Sequence, residues 1–245
     1  MKRIIITLVL IFALLSGMGE EAFAASKYGF NYDESNGKVK WAGYFKVNVT
    51  QNNVLLGSMS YYVGVQQLNN SNEYILMTKE VMTPTEYREN GKLKLKGLSE
   101  YVSVKTTLPS LDNYTPQNTP ATDSFSITAG ANASGGTISA SYSIKHNDLK
   151  ITSKCDTPKK LFYIEYDYLP SIINIFADNT YVANESAQYG MAEFTKTTGN
   201  KNSVGLYMQY DARFGVATTE NCTPVSILTG VVYKKTDSRA YNIYF

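Results

Sequence analysis

The sequence predicts an all-β protein whose antiparallel strands pack in a sandwich-like fold, compact or elongated, with few or no helices. Apolar and polar residues alternate with period two along most of the chain after residue 24. The alternating runs are rich in Tyr, Val, Ile, Thr and Phe, and Asn, Gly, Asp and Ser separate them. No amphipathic pattern of about 12 residues indicates a helix, and the runs number about 13 to 15.

The first 24 residues are predicted to be a signal peptide. Lys2 and Arg3 precede the apolar run 4–15, and Ala22-Phe23-Ala24 places small residues at the −3 and −1 positions of a cleavage site. The apolar run, about 12 residues, is shorter than the roughly 20 that span a bilayer. We therefore expect a secreted, extracellular chain of residues 25–245 that forms a single all-β domain.

The strands follow in order, with turns rich in Asn and Gly between them. Asn36-Gly37 predicts a hairpin between the runs 28–33 and 38–50. Gly57 and Gly64 predict a bulge or bend within the next run, 54–68. The segment 170–177 fits either a short helix or a buried strand. The remaining predicted strands are 74–81, 92–98, 101–107, 124–130, 137–145, 149–154, 161–169, 189–196, 204–216, 225–235 and 241–245.

Residues 108–123 interrupt the alternation. Pro109, Pro116 and Pro120 lie here among Asn, Thr and Ser, and proline cannot donate a hydrogen bond within a central strand. The segment is predicted to be a crossing loop, and it is the candidate boundary for a subdivision of the domain.

Charge and motifs exclude several classes of function. The net charge is +2, without a polybasic block, which gives no electrostatic case for nucleic acid. The single histidine, His146, lies in a predicted turn, and no Gly-x-Ser-x-Gly motif accompanies it. No metal-ligand spacing is present. We expect a non-enzymatic protein without metal or cofactor.

A polysaccharide hydrolase is the weaker enzymatic alternative. Glu165 and Asp167 fall on one face of the predicted strand 161–169, because residues two apart on a strand share a face. The other face carries Phe162, Ile164, Tyr166 and Tyr168. The two carboxylates are equally explained as the solvated side of a half-buried strand.

The two cysteines, Cys155 and Cys222, are predicted to form a disulfide in an oxidising compartment. The bond would close a loop of about 67 residues and would contribute roughly 2–4 kcal/mol. Two buried thiols are the alternative.

Tyrosine is abundant, with 20 residues. Its ring combines an apolar body with a hydroxyl group and suits sugar faces, protein interfaces and membrane surfaces. Tyrosine is also a common strand residue, so many of these rings are expected to pack at sheets. The candidate binding tyrosines are Tyr163, Tyr166, Tyr168, Tyr207 and Tyr210.

The segment 124–154 has the sharpest pattern. The first strand of this predicted hairpin alternates Phe125 and Ile127 with serine and threonine, and the second alternates Ile138, Tyr142 and Ile144 with serine. A thin apolar face opposite a Ser/Thr face is what the wall of a β-barrel pore requires, although a half-exposed hairpin of a sandwich shows it too. The segment resembles the stem hairpins of secreted β-pore-forming toxins of the aerolysin or leukocidin type. The resemblance implies a membrane-dependent homo-oligomer.

Three functions therefore remain open. The leading interpretation is a secreted recognition protein that binds a cell-surface glycan or protein. The alternatives are the pore-forming protein and the hydrolase.

Overall fold

The computed structural model describes residues 25–32, 34–69, 71–118, 124–130, 137–143, 149–168, 185–220 and 223–245. The predicted leader, His146, the segment 170–177, Ile144 and Cys222 lie outside these ranges. The all-β prediction is confirmed: the described elements are antiparallel strands and one short 3₁₀ turn, Glu34–Asn36. None of the described residues forms a helix with the length and hydropathy of a membrane span.

The described strands form three sheets. A five-stranded sheet has the order β3 (Gly37–Gln51), β4 (Val54–Leu68), β5 (Glu73–Pro84), β13 (Ser186–Thr195) and β8 (Asn113–Thr115). Its strands pair antiparallel in long registers, such as Ser186↔Met82 through Thr195↔Glu73 between β13 and β5.

A six-stranded sheet forms the second layer. Its order is β11 (Leu149–Ser153), β12 (Leu161–Tyr168), β7 (Lys92–Thr107), β14 (Ser203–Glu220) and β15 (Thr223–Tyr244), and β6 (Glu86–Glu89) pairs with β7. The sequence predicts two strands over 92–107, whereas the structure has one continuous strand, β7. Its register with β14 shifts between Arg213 and Phe214, which marks an irregularity within the strand and not a break.

A four-stranded sheet forms the third layer. Its order is β1 (Ala25–Lys27), β2 (Phe30–Tyr32), β10 (Thr137–Ser143) and β9 (Ser124–Gly130). The predicted hairpin at Asn36-Gly37 is wrong, because β2 pairs with β1 and β10, while β3 pairs with β4. Phe30 and Tyr32 are buried on the five-stranded sheet, and that burial keeps β2 in a separate layer.

The five-stranded sheet is the middle layer, since both of its faces are buried. On β5, Leu76 and Met82 belong to the large core shared with the six-stranded sheet. Ile75 and Met77, which point to the other face of β5, belong to a second, smaller core beneath β2. Alternate residues of one strand thus pack into two different cores, as the pleat requires.

The Pro-rich segment carries the chain between layers. It leaves β7 in the six-stranded sheet and enters β8 in the five-stranded sheet, where Asn113–Thr115 pair with β13. Residues 119–123 of the segment lie outside the described part.

Candidate functional site

The two strands of the predicted stem hairpin pair over their whole described length. β9 and β10 form seven antiparallel pairs, from Thr137↔Gly130 to Ser143↔Ser124. Residues that lie directly opposite in an antiparallel pair share a face of the ribbon. The register therefore decides whether the polar and apolar positions of the two strands coincide.

The register brings the two alternations into phase. Apolar positions oppose apolar positions, in the pairs Ile138↔Ala129, Ala140↔Ile127 and Tyr142↔Phe125. Hydroxyl residues oppose hydroxyl residues, in the pairs Ser139↔Thr128, Ser141↔Ser126 and Ser143↔Ser124. A slip of one residue would mix the two sets on both faces. The described hairpin is consequently an amphipathic ribbon with one apolar face and one Ser/Thr face.

In the described part of the chain, both strands of the ribbon contact the rest of the molecule. β10 pairs with the short strand β2 through Ile138↔Tyr32 and Ser139↔Asn31. β9 lies against β13 and β8 of the middle sheet. No residue of β2 belongs to the large core between the five-stranded and six-stranded sheets.

The structure separates the five candidate binding tyrosines. Tyr166, Tyr168 and Tyr210 are at most 2% exposed and pack in the large core. The buried hydroxyl groups of Tyr166 and Tyr168 have hydrogen-bond partners within the protein. Tyr166 donates to the carbonyl oxygen of Tyr189 at 2.8 Å, and the Tyr168 hydroxyl bonds the Ser186 hydroxyl at 2.9 Å. Tyr163 is half-buried and Tyr207 is 56% exposed, so these two rings reach the outer face of the six-stranded sheet.

Glu165 is the centre of a hydrogen-bonded cluster on that outer face. Its Oε1 atom accepts from the Tyr163 hydroxyl at 2.5 Å, the Lys154 ammonium at 2.7 Å and the Tyr101 hydroxyl at 2.9 Å. Burial raises the pKa of Glu165, but these hydrogen bonds outweigh it and hold the pKa below its usual value. The general acid of a glycosidase must keep its proton until it reacts. The hydrogen-bonded cluster therefore does not suit Glu165 to act as a general acid.

The predicted disulfide is not seen. Cys155 carries a free, half-buried thiol, and burial raises its pKa. Its sulfur accepts a hydrogen bond from the backbone N–H of Tyr163 at 3.3 Å. Among the described residues, no group of three His, Cys, Asp or Glu side chains is placed to hold a metal ion.

The outer-face residues Lys105, Gln209 and Asp211 were not predicted from the sequence. They lie on the outer face of the six-stranded sheet, in two cross-strand rows. Lys105 and Gln209 are in the row of Tyr163, as Tyr163↔Lys105↔Gln209, and Asp211 is in the row of Glu165, as Glu165↔Ser103↔Asp211. The alternation within each strand was visible in the sequence, whereas the pairing that assembles the row was not.

Comparison of the sequence with protein-family models and with curated proteins finds no match. Two of the solved structures to which the chain is similar are as follows. One, described as Clostridium perfringens delta-toxin, has 9% identity and a TM-score of 0.45, over 90% of this chain and 96% of that chain. The other, described as a pore forming protein, has 10% identity and a TM-score of 0.41, over 91% and 90%. At these values neither likeness assigns a function to this chain.

Proposed function

We propose that this protein is a secreted, non-enzymatic pore-forming protein whose β9–β10 hairpin enters a membrane as part of a β-barrel built by several copies. The leader 1–24 is removed on export, and residues 25–245 act without a cofactor. The in-phase register of β9 and β10 is the observation that carries the proposal.

The physical requirement for such a barrel is strict. Every backbone N–H and C=O in the hydrocarbon must pair between strands, and a closed barrel achieves this. Each strand must also present apolar residues to lipid and polar residues to the lumen. A ribbon with Ile138, Ala140 and Tyr142 on one face and serines on the other meets both conditions once copies close into a ring.

The length of the alternating pattern also fits. Each described strand has seven residues, whereas a tilted membrane strand needs about 9–11. The polar and apolar alternation continues in the sequence over 124–134 and 137–145. The hairpin therefore has sufficient patterned sequence to cross a bilayer after it extends at both ends.

Release of the hairpin is the conformational step that the proposal requires. The hairpin would give up its two residue pairs with β2 and its contacts with β13 and β8. The large core, which holds Met59, Val104 and Phe162 between the other two sheets, would stay intact. The rest of the molecule then serves as the rigid body of each subunit.

A pair of charge substitutions on adjacent residues tests the proposal. Ile138→Asp places a charge on the lipid face, and Ser139→Asp places the same charge on the lumen face of the same strand. We expect Ile138→Asp to lower dye release from phosphatidylcholine–cholesterol vesicles and from cells at least about tenfold. Ser139→Asp should keep release within a few fold, since a charge in a water-filled lumen costs little.

The controls separate insertion from folding. Both variants should melt as the unchanged protein does, and the unchanged residues 25–245 should form membrane-dependent oligomers. Equal release by the two variants, or no release and no oligomer on any membrane tested, would contradict the proposal.

A further inference from the structure

A row of aromatic and basic side chains crosses the five-stranded sheet on the side away from the large core. The row runs over four strands, from β3 to β13, as Tyr44↔Tyr62↔Lys79↔Tyr189. Phe45, which follows Tyr44 on β3, packs against the large core, so Tyr44 points to the opposite face.

The N-terminal strands extend this row. Tyr28 connects β1 to β2, and its ring centre lies 4.6 Å from that of Tyr62 and 4.7 Å from that of Trp41. The Tyr62 ring in turn stacks on the Tyr44 ring at 5.3 Å. Tyr44 is 61% exposed, and the other three rings are half-buried. These four contiguous rings form the aromatic patch.

Three lysines border the aromatic patch. The Lys27 ammonium lies 5.1 Å from the centre of the Tyr28 ring, and the Lys79 ammonium lies 5.8 Å from the centre of the Tyr62 ring. Lys46 is exposed on the same face of β3 as the patch. An ammonium group has three N–H donors, so contact with a ring on one side leaves donors for an anion.

The charge of this face is positive. Within the part of the chain that the structure describes, Lys27, Lys46 and Lys79 form no ion pair. Glu185 acts electrostatically on Lys79, and it accepts a hydrogen bond from Thr83 at 3.1 Å. Burial lowers the pKa of Lys79, so the exposed Lys27 and Lys46 supply the firmer positive charge.

We infer that the aromatic patch and its three lysines dock the protein on a membrane that contains anionic phospholipids. Tyrosine and tryptophan favour the membrane–water interface, because each ring is apolar and carries one polar group. Lysines beside them are attracted to the anionic headgroups. Docking of this kind rests on the proposed function, since a pore-forming protein must reach a membrane before its hairpin inserts.

The place of the aromatic patch in the fold suits this role. Tyr28 lies two residues before Phe30, the first residue of β2, and β2 pairs with β10 at Asn31 and Tyr32. One short strand thus joins the patch to the β9–β10 hairpin. A membrane bound at the patch would therefore lie close to the segment that inserts.

The test measures co-sedimentation of residues 25–245 with phosphatidylcholine–cholesterol vesicles, with and without phosphatidylserine. All variants carry Ile138→Asp, which is expected to prevent insertion, so that binding reports docking alone. We expect phosphatidylserine to increase binding at least about tenfold, and added salt to remove the increase. Lys46→Glu should lower binding to the anionic vesicles at least about tenfold. Tyr44→Ser should lower it about fivefold or more.

Two matched controls make the same changes elsewhere. Lys40→Glu reverses an exposed charge on the opposite face of β3, because Lys40 pairs with Val65 of the large core. Tyr207→Ser removes a tyrosine that is 56% exposed on the six-stranded sheet. Both should change binding by less than about threefold, and all four variants should melt as their parent does.

The outcomes separate docking from pore formation. No gain from phosphatidylserine, or binding that Lys46→Glu and Tyr44→Ser weaken no more than their controls do, would overturn the inference. Dye release by the unchanged protein would then still support the pore. Docking that depends on the aromatic patch, without dye release by the unchanged protein, would support the docking surface and contradict the pore.

Discussion

At the scale of single residues, Glu80 is the unusual side chain. It is fully buried on β5, on the face that carries Leu76 and Met82 toward the large core. Burial raises the pKa of Glu80 to about 8. At neutral pH the folded protein therefore keeps this carboxyl group protonated.

The pH dependence of stability follows from that shift. Between the ordinary pKa of 4.5 and about 8, the unfolded chain has lost the Glu80 proton while the folded chain keeps it. The free energy of unfolding then falls as pH rises, by up to about 1.4 kcal/mol per pH unit from this group. Urea titrations should show the Glu80→Gln variant gaining on the unchanged protein from pH 5 to pH 8. A stability difference that is the same at both pH values would contradict this.

At the scale of elements, two aromatic rings pack directly over glycines of strand β4. A Cβ atom on Gly64 would lie 2.8 Å from the Trp41 ring, and one on Gly57 would lie 2.3 Å from the Phe214 ring. The β3–β4 register shifts beside both positions, between Trp41 and Tyr44 and between Val49 and Thr50. The bulges predicted from these glycines are thus found in this pair, and two aromatic rings fill the space above the glycines.

Gly57→Ala should destabilise the protein by about 1–3 kcal/mol, because Phe214 is fully buried and the new Cβ atom would lie 2.3 Å from its ring. Gly205→Ala is the control within β14, where the new Cβ atom would lie 3.5 Å from Asn242, an ordinary contact. It should change stability by less than about 1 kcal/mol. Thermal melting of the two variants measures both effects, and similar melting temperatures would refute the packing argument.

The local sequence pattern predicted which residues of a strand face the core, because the period of two is a property of the strand itself. On β12 the predicted inner residues Phe162, Ile164, Tyr166 and Tyr168 are buried, and Glu165 lies on the outer face. Pattern did not predict which strands pair, since pairing depends on distant segments. Asn36-Gly37 has the sequence of a hairpin, yet burial of Phe30 and Tyr32 on the middle sheet places β2 in another layer.

The candidate site divides in the same way. The polar and apolar faces of 124–130 and 137–143 were predicted, but their coincidence depends on a register that only the paired backbone shows. The tyrosine prediction relied on residue chemistry alone, and chemistry does not distinguish a core hydroxyl from an exposed one. Tyr166 and Tyr210 are therefore buried in the large core, while Tyr163 is half-buried on the outer face of the six-stranded sheet.

At the scale of the whole molecule, two of the three described sheets form the stable core and the third carries the amphipathic hairpin. The five-stranded and six-stranded sheets enclose the large core and form a stable body. The third layer joins the short strands β1 and β2 to the amphipathic hairpin, through two residue pairs. In the proposed function the body stays folded and the hairpin leaves the third layer.

The most direct test of the account is a reversible lock between Asn31 and Ser139, which lie opposite each other on β2 and β10. Paired strand positions are close enough for a disulfide with little movement. The variant carries Asn31→Cys and Ser139→Cys together with Cys155→Ser and Cys222→Ser, and its single-cysteine counterparts are the controls. We predict that the oxidised variant releases no dye from vesicles and that a reducing agent restores release. Equal release by the oxidised and reduced forms would show that the hairpin does not leave β2, and would contradict the account.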